Sequence, residues 1–155
     1  MPDDKLQGIT DCNCRSIRQA ARYVTQFYDR YLSPSGLRIS QFGVLAVLKR
    51  KGTMTINELA AELVIDRTTL GRNILPLERD GLIAVKPSPM DRRSKELHLT
   101  AAGDKRYRDA RKYWIEAQDA FEGAFGNKRA ADLRDLLHDV VSSDLGPLEE
   151  AAALP

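Results

Sequence analysis

Two helix starts placed close together constrain the fold of this chain more than any other feature. Thr55 and Glu58 stand in the Thr-Ile-Asn-Glu pattern of a capping box, so a short helix should begin there and end near Leu63. Asp66 can cap a further helix over residues 67–80, which Gly81 would end. Two short helices in tandem, joined by a very short turn, indicate a helix-turn-helix.

A hairpin is expected directly after these helices. Residues 82–86 and 95–99 are short strand candidates, and the segment between them is polar, basic and turn-prone. Thr100 can cap a long helix that ends near Gly126. A helix-turn-helix followed by a small hairpin is the layout of a winged helix-turn-helix, in which the second helix enters the DNA major groove and the hairpin reaches adjacent DNA. We therefore expect a DNA-binding lobe over residues 53–100.

Further helices should flank this lobe. Residues 10–32 carry an apolar stripe at steps of three or four, formed by Cys14, Ile17, Ala21, Val24, Tyr28 and Tyr31. After the break at residues 33–36, Ser40 is expected to cap a second helix over residues 41–51. The last helix has its own apolar stripe, formed by Leu133, Leu136, Leu137, Val140, Val141 and Leu145. The fold class expected is mainly α with a small β-hairpin wing, in a single domain over residues 1–155.

The charge is distributed unevenly along the chain. The net charge is only +2, but residues 49–112 hold 15 Lys and Arg against 9 Asp and Glu, whereas residues 113–155 hold 3 against 9. A basic middle segment is typical of a protein that meets a polyanion, although a solvated charged face is an alternative reading. With 43% hydrophobic residues, no run of 18 apolar residues and no secretory leader pattern, the chain is expected to be a cytoplasmic protein without membrane contact.

The side chains suited to contact DNA lie on the expected recognition helix and on the hairpin tip. On the helix they are Arg67, Thr68, Thr69, Arg72 and Asn73, and on the tip Asp91, Arg92 and Arg93. Arginine can read guanine, asparagine adenine and the threonine methyl group thymine, while the cations also bind phosphate. Thr55, at the start of the preceding helix, completes the candidate set.

Three segments resemble the multiple-antibiotic-resistance regulator (MarR) family of bacterial transcription factors. They are DRTTLGR at 66–72, LERDGL at 77–82 and above all DRRSKELHLTAAG at 91–103. The resemblance implies that Arg93 enters the minor groove while Asp91 braces it. It also implies a homodimer, formed through helices in residues 10–32 and 100–150, on a pseudo-palindromic operator. The alternative for the apolar stripes is a helical bundle within one chain.

Regulators of this family commonly respond to small aromatic ligands or to oxidants, and this chain offers residues for both. For an aromatic or phenolic ligand, which we expect to release a repressor from its operator, the candidate lining comprises Phe27, Tyr28, Gln41, Phe42 and Trp114, with Arg18 or Arg22 as counter-ion. Alternatively, the placement of Cys14 resembles the organic-hydroperoxide-sensing branch, with Cys12 as a possible second thiol. Inert packing of these cysteines is the third reading.

Catalysis finds little support in the sequence. The two histidines, His98 and His138, have no partner at a useful spacing, so no catalytic, metal or cofactor site is predicted. A thiol peroxidase that uses Cys12 and Cys14 is the best enzymatic rival, and a protein-interaction module is the other alternative.

Overall fold

The computed structural model describes residue 8 and residues 10–146. Its helices are α1 (Asn13–Leu32), α2 (Ile39–Lys51), α3 (Ile56–Leu63), α4 (Arg67–Arg79), α5 (Ala101–Phe125) and α6 (Asn127–Ser142), with a 3₁₀ turn at Ser33–Ser35. Its strands are β1 (Met54–Thr55), β2 (Ile83–Pro87) and β3 (Lys95–Leu99). The predicted fold class, mainly α with a small hairpin wing, is confirmed. None of the helices in this part of the chain is long and apolar enough to cross a membrane.

The sheet contains one strand, β1, that was not predicted from the sequence. β3 lies in the centre, and β2 and the two-residue β1 both pair with it in antiparallel fashion. Met54 lies opposite Leu97 and Thr55 opposite Glu96. β1 therefore joins the start of the helix-turn-helix to the wing by backbone hydrogen bonds.

Two compact units divide the chain at residues 117 and 118, within α5. The core of the first unit contains side chains from α1 to α4 and from all three strands, among them the fully buried Leu32, Leu45, Leu59, Leu70 and Leu97. Burial of an aliphatic side chain of this size contributes ~1.5–3 kcal/mol. The first unit is thus built on an apolar core that includes the wing.

The helix starts agree with two of the three predicted caps in this region. The Glu58 amide donates to Thr55 Oγ1 at 3.1 Å and the Thr55 amide to Glu58 Oε2 at 2.8 Å, which completes the capping box. Asp66 caps α4 as expected. Ser40 was the wrong cap for α2, because this helix already begins at Ile39.

Two other side chains satisfy the first amides of α2 in place of Ser40. Gln41 Oε1 accepts a hydrogen bond from the Arg38 amide at 3.0 Å. Asp29 Oδ1, on α1, accepts one from the Ile39 amide at 2.8 Å. A long-range partner can replace a local cap, and it fixes α1 against the start of α2.

The junction between the wing and α5 is held by Thr100. Its hydroxyl donates to the Gly81 carbonyl at 2.6 Å and accepts from the Gly103 amide at 3.0 Å. Its own amide donates to the Leu82 carbonyl at 3.2 Å. Thr100 thus caps α5, as predicted, and also joins this helix to the end of the α4 segment.

Asp104 joins α5 to α2. Its carboxylate lies 2.6 Å from Lys49 Nζ and 3.1 Å from Arg108 Nε. The hydrogen bond from Lys49 is the main reason that the pKa of Asp104 lies below its ordinary value. Because the pKa is lowered on folding, this pair stabilises the fold above the unfolded-state pKa, and the stabilisation is lost as the pH falls through the folded-state value.

The second unit contains the end of α5 and the whole of α6. Arg134 Nη1 lies 3.0 Å from Glu122 Oε1, the rings of Phe121 and Phe125 stack at 5.5 Å, and Arg129 lies over the Phe125 ring. Much of the apolar stripe of α6 is nevertheless exposed. Its exposed members are Leu136, Leu137, Val140, Val141 and, just beyond the helix, Leu145.

The Gly103→Ala substitution is expected to destabilise the protein by about 2–3 kcal/mol. A Cβ atom at Gly103 would lie 1.9 Å from the Leu82 carbonyl oxygen, which cannot retreat without breaking its bond to Thr100. Gly123→Ala in the same helix is the matched control, because its Cβ would meet nothing within 4 Å. Thermal unfolding should show a loss of ~5–10 °C for the first variant and no loss for the second. Equal midpoints would contradict this packing.

Candidate nucleic-acid interface

The exposed face of α4 is the first element of the candidate site. Leu70, Ile74 and Leu77 bury one side of this helix in the core. The helical period places Thr68, Arg72, Leu75 and Arg79 on the opposite side, and all four are exposed. Of the predicted residues, Arg67, Thr68, Thr69 and Arg72 are exposed, whereas Asn73 lies half-buried at the flank of the helix.

The first turn of α4 is fixed by Asp66. Its Oδ1 accepts a hydrogen bond from the Thr69 amide at 2.8 Å and its Oδ2 one from the Thr69 hydroxyl at 2.6 Å. The hydroxyl bond is the main reason that the pKa of Asp66 is lowered, so the cap is retained until the pH falls through this lowered value. Because the Thr69 hydroxyl is engaged, the threonine methyl group is the part left for a thymine contact.

The wing ends in a tight turn at residues 91–94. The Ser94 amide donates to the Asp91 carbonyl at 3.0 Å, and the Ser88 amide donates to the Ser94 carbonyl at 2.8 Å. This turn places Arg92 and Arg93 at the apex, where both are exposed. The long basic tip predicted from the sequence is therefore an ordered turn.

Asp91 braces Arg93 differently from the way the sequence suggested. Its Oδ1 accepts a hydrogen bond from the Arg93 backbone amide at 3.0 Å. Within the described residues Asp91 forms no ion pair with the Arg93 guanidinium. The turn instead directs the backbone N–H of Arg93, two residues after Asp91, toward the carboxylate. The carboxylate thus fixes the backbone of the turn and leaves the arginine side chain open to solvent.

The basic side chains of the candidate site differ in their ion pairs from those at the end of α2. Arg67, Arg72, Arg92 and Arg93 form no ion pair with any side chain in residues 10–146. In contrast, Arg50 and Lys51 both pair with Glu62, whose pKa is lowered chiefly by the hydrogen bond from Lys51. The four unpaired guanidinium groups are available to bind phosphates or base edges.

Thr55 has a structural role in the described geometry. Leu75 and Arg79 share the outward face of α4 but were not among the residues predicted from the sequence. The Thr55 hydroxyl accepts a hydrogen bond from the Glu58 amide in the capping box, and the residue is half-buried. Leu75 is 61% exposed and Arg79 continues the same stripe. Extending the outward period of α4 by two turns would have found both residues in the sequence.

The two cysteines lie at the start of α1. Cys12 is the N-cap residue, and its Sγ accepts a hydrogen bond from the Arg15 amide at 3.5 Å. Both Cys12 and Cys14 are free thiols and are exposed. They line an open groove of about 490 Å³, together with Arg15, Arg18, Gln19 and Arg22. In the single chain the stripe that carries Cys14 is exposed as far as residue 23, so inert packing of this cysteine stays a prediction that requires a second subunit.

The aromatic candidates fall into two clusters. Phe27 contacts Tyr28 and Tyr31, with ring centroids 5.7 and 5.1 Å apart. Phe42 stacks on Tyr107 and Trp114 at 5.2 and 6.0 Å. Because Tyr28 and Phe42 are buried, these rings contribute to the apolar core. Gln41, another expected lining residue, has its amide oxygen engaged in the cap of α2.

Comparisons with known proteins point to one family. A model described as the MarR family matches residues 35–94. The HTH-type transcriptional regulator FarR of Neisseria gonorrhoeae is 30% identical over 152 residues, which cover 97% of this chain and 98% of the relative.

Solved structures give the same fold. The M. tuberculosis regulator MosR in complex with DNA has a TM-score of 0.73 at 37% identity, and the match covers 84% of this chain and 97% of that one. A mutant MarR from E. coli complexed with operator DNA has a TM-score of 0.77 at 24% identity over 89% and 99% of the two chains, a likeness in fold.

The Arg72→Ala substitution should lower the affinity for a selected DNA duplex by about tenfold and relax the base preference at one position of each half-site. Arg50→Ala is the matched control, since this arginine is also exposed but is paired with Glu62 on another helix. Binding titrations over a range of salt concentrations would measure both effects. Equal affinity and base preference for the two variants would contradict the assignment of α4.

Proposed function

Because this chain belongs to the MarR family of transcriptional regulators, we propose that it binds a pseudo-palindromic operator as a homodimer and represses transcription until a small aromatic or phenolic ligand releases it. The observation that carries the DNA part is the set of four exposed arginines without an ion pair among the described residues: Arg67 at the first position of α4, Arg72 on its outward face, and two at the wing apex. Phosphate attraction supplies affinity at such a surface, and base contacts supply specificity.

In the proposed complex α4 lies in the major groove and the wing reaches the adjacent minor groove. Arg72 has the donors to bind guanine O6 and N7, and the Thr68 and Thr69 methyl groups suit thymine. Arg93 suits a narrow minor groove, where the negative potential is concentrated. The wing turn supports this placement, because Asp91 orders the backbone without neutralising the guanidinium.

The exposed apolar residues support a dimer. On α6 they are Leu136, Leu137, Val140 and Val141, and on the first half of α1 they include Ile17 at 43% exposure. Several exposed apolar side chains along one helix, as on α6, are typical of a protein interface. Two-fold pairing would place the two recognition helices about 34–36 Å apart, which is one turn of DNA.

The groove at the start of α1 favours an anionic effector. Arg15, Arg18 and Arg22 line it and form no ion pair among the described residues, so a carboxylate or phenolate would find unopposed positive charge there. The aromatic rings beyond it, in the Phe27 cluster, are candidates for apolar contact with the ligand. Arg18 and Arg22 thus remain the proposed counter-ions.

A second candidate signal is oxidation of Cys14. The observation that favours it is the exposure of two free thiols beside three arginines. Attack of the Cys14 thiolate on the O–O bond of an organic hydroperoxide would form a sulfenic acid and release an alcohol, and Cys12 could condense with it to a disulfide and release water.

Charged substitutions on the α6 stripe should dissociate the dimer. The double variant Leu136→Asp, Val140→Asp places two carboxylates in the proposed apolar interface, and we expect a monomer with at least tenfold weaker operator binding. Ser142→Asp, on the opposite side of α6, adds charge without entering the stripe and should leave the dimer intact. Sedimentation equilibrium gives the masses. A monomeric wild type, or a double variant that stays dimeric, would refute the interface.

Release experiments distinguish the two signals. A duplex selected from a random pool is bound by the wild type, Cys14→Ser and Arg22→Ala proteins, and each complex is challenged with phenolic acids and with an organic hydroperoxide. The ligand proposal predicts release by a phenolic acid that persists in Cys14→Ser and needs a severalfold higher concentration in Arg22→Ala. Release by hydroperoxide alone, lost in Cys14→Ser, would replace it with oxidant sensing. Peroxide turnover with a reductant but without DNA binding would indicate a thiol peroxidase.

A further inference from the structure

Met90 is the most exposed large apolar side chain in the described part of the protein, with 93% of its surface accessible. It lies on the wing between Pro89 and the turn that carries Arg92 and Arg93. Neither the fold nor the arginine contacts proposed above use it. A polar residue would suit an ordinary solvated loop better at this position, because an apolar side chain gains nothing from full exposure to water.

The structure holds the Met90 backbone in place. The Met90 amide donates to Ser88 Oγ at 3.3 Å, and Ser88 is itself only 5% exposed. The Ser88 amide in turn donates to the Ser94 carbonyl at 2.8 Å, across the base of the turn. Pro89 restricts the backbone between them. The backbone at Met90 is therefore held in a defined position, which lowers the backbone entropy lost when the residue contacts a partner.

The surroundings of Met90 indicate the chemistry of that partner. Arg92 and Arg93 follow it within three residues and form no ion pair among the described residues. A surface that combines two free guanidinium groups with a projecting apolar side chain fits the DNA minor groove, where phosphates border apolar deoxyribose walls. Apolar side chains, methionine among them, are a recurring means of contact in that groove.

We propose that Met90 is a further DNA-contacting residue, whose side chain packs against the deoxyribose wall of the minor groove beside Arg93. This inference rests on the proposed placement of the wing. The contact removes apolar surface from water on both sides without displacing a cation from a phosphate. It therefore adds affinity that does not depend on salt, whereas each arginine adds affinity that does.

Four variants test this contact on the full-length protein and a selected operator duplex. Met90→Ala is expected to lower the affinity about fivefold at every salt concentration, with the slope of log K against log salt unchanged. Met90→Leu should retain the wild-type affinity. Met90→Lys should bind more weakly than wild type at high salt, where phosphate attraction is screened. Arg93→Ala should weaken binding and also reduce the salt slope.

Hydroxyl-radical footprinting supplies an independent readout, because the radical attacks deoxyribose from the minor groove. The wild type should protect sugars at the wing position, and Met90→Ala should lose protection at sugars next to those exposed by Arg93→Ala. Thermal unfolding checks that each variant folds, which the exposure of Met90 favours.

The outcomes separate the inference from the proposed function. Three results would each overturn the apolar contact: wild-type affinity for Met90→Ala, tighter binding by Met90→Lys at high salt, or equal losses for the Leu and Ala variants. The proposed placement of the wing would still stand if Arg93→Ala binds more weakly. An unaffected Arg93→Ala would overturn the placement of the wing and the contact together. If Arg93→Ala is weakened, the contact is supported when, among the Met90 variants, Met90→Ala binds more weakly with an unchanged salt slope, Met90→Lys binds more weakly at high salt, and Met90→Leu keeps the wild-type affinity.

Discussion

The bonds of Thr100 and the close approach of Gly103 to Leu82 position the two DNA-binding elements relative to each other. One hydroxyl joins the Gly81 carbonyl, which follows α4, to the Gly103 amide at the start of α5, and the Thr100 amide holds the Leu82 carbonyl. The absence of a side chain at Gly103 allows this approach. β2 begins directly after Leu82 and β3 ends directly before Thr100. Both ends of the wing are therefore fixed at the same junction between α4 and α5. A base-reading helix and a groove-reading wing need such a fixed offset to contact the same half-site.

The distribution of carboxylates explains why a nearly neutral protein can present a basic surface. Glu62 pairs with Arg50 and Lys51, and Asp104 pairs with Lys49 and Arg108, so part of the positive charge in this region is offset by contacts within and between helices. At the first turn of α4 and at the wing turn, Asp66 and Asp91 accept backbone amides instead. They order the first turn of α4 and the wing turn without neutralising the neighbouring arginines. Net charge alone therefore says little about this surface.

Sequence reasoning succeeded where structure is decided locally. The capping box at Thr55, the cap at Asp66 and the apolar face of α4 all depend on residues within a few positions of one another, and the fold class followed from their order. It failed where the partner is distant in sequence. Asp29 caps α2 from another helix, so Ser40 was a reasonable but wrong choice, and β1 exists only because β3 offers it an edge.

The candidate site was predicted by the same local rules, and its errors have the same origin. Residue types made Arg67, Arg72, Arg92 and Arg93 candidates, but only the structure shows that the Thr69 hydroxyl and the Asp91 carboxylate are engaged with neighbouring groups. The exposure of Cys14 likewise could not be read from its apolar spacing, because periodicity marks a face without saying what covers it. In a single chain that face is open.

The geometry of α1 bears on how a signal at its start can influence DNA binding. Its first half is exposed and carries the cysteines and arginines, while its second half is anchored by the buried Tyr28 and Leu32 and by the Asp29 bond to the start of α2. The end of α2 is in turn paired through Arg50 and Lys51 with Glu62 on α3, the first helix of the helix-turn-helix. A ligand or an oxidised thiol that shifts α1 therefore acts on an element already bonded to the DNA-binding lobe. This chain of contacts connects α1 mechanically to the helix-turn-helix. A ligand or an oxidation changes DNA binding through it only if that signal stabilises one of two positions of α1 more than the other.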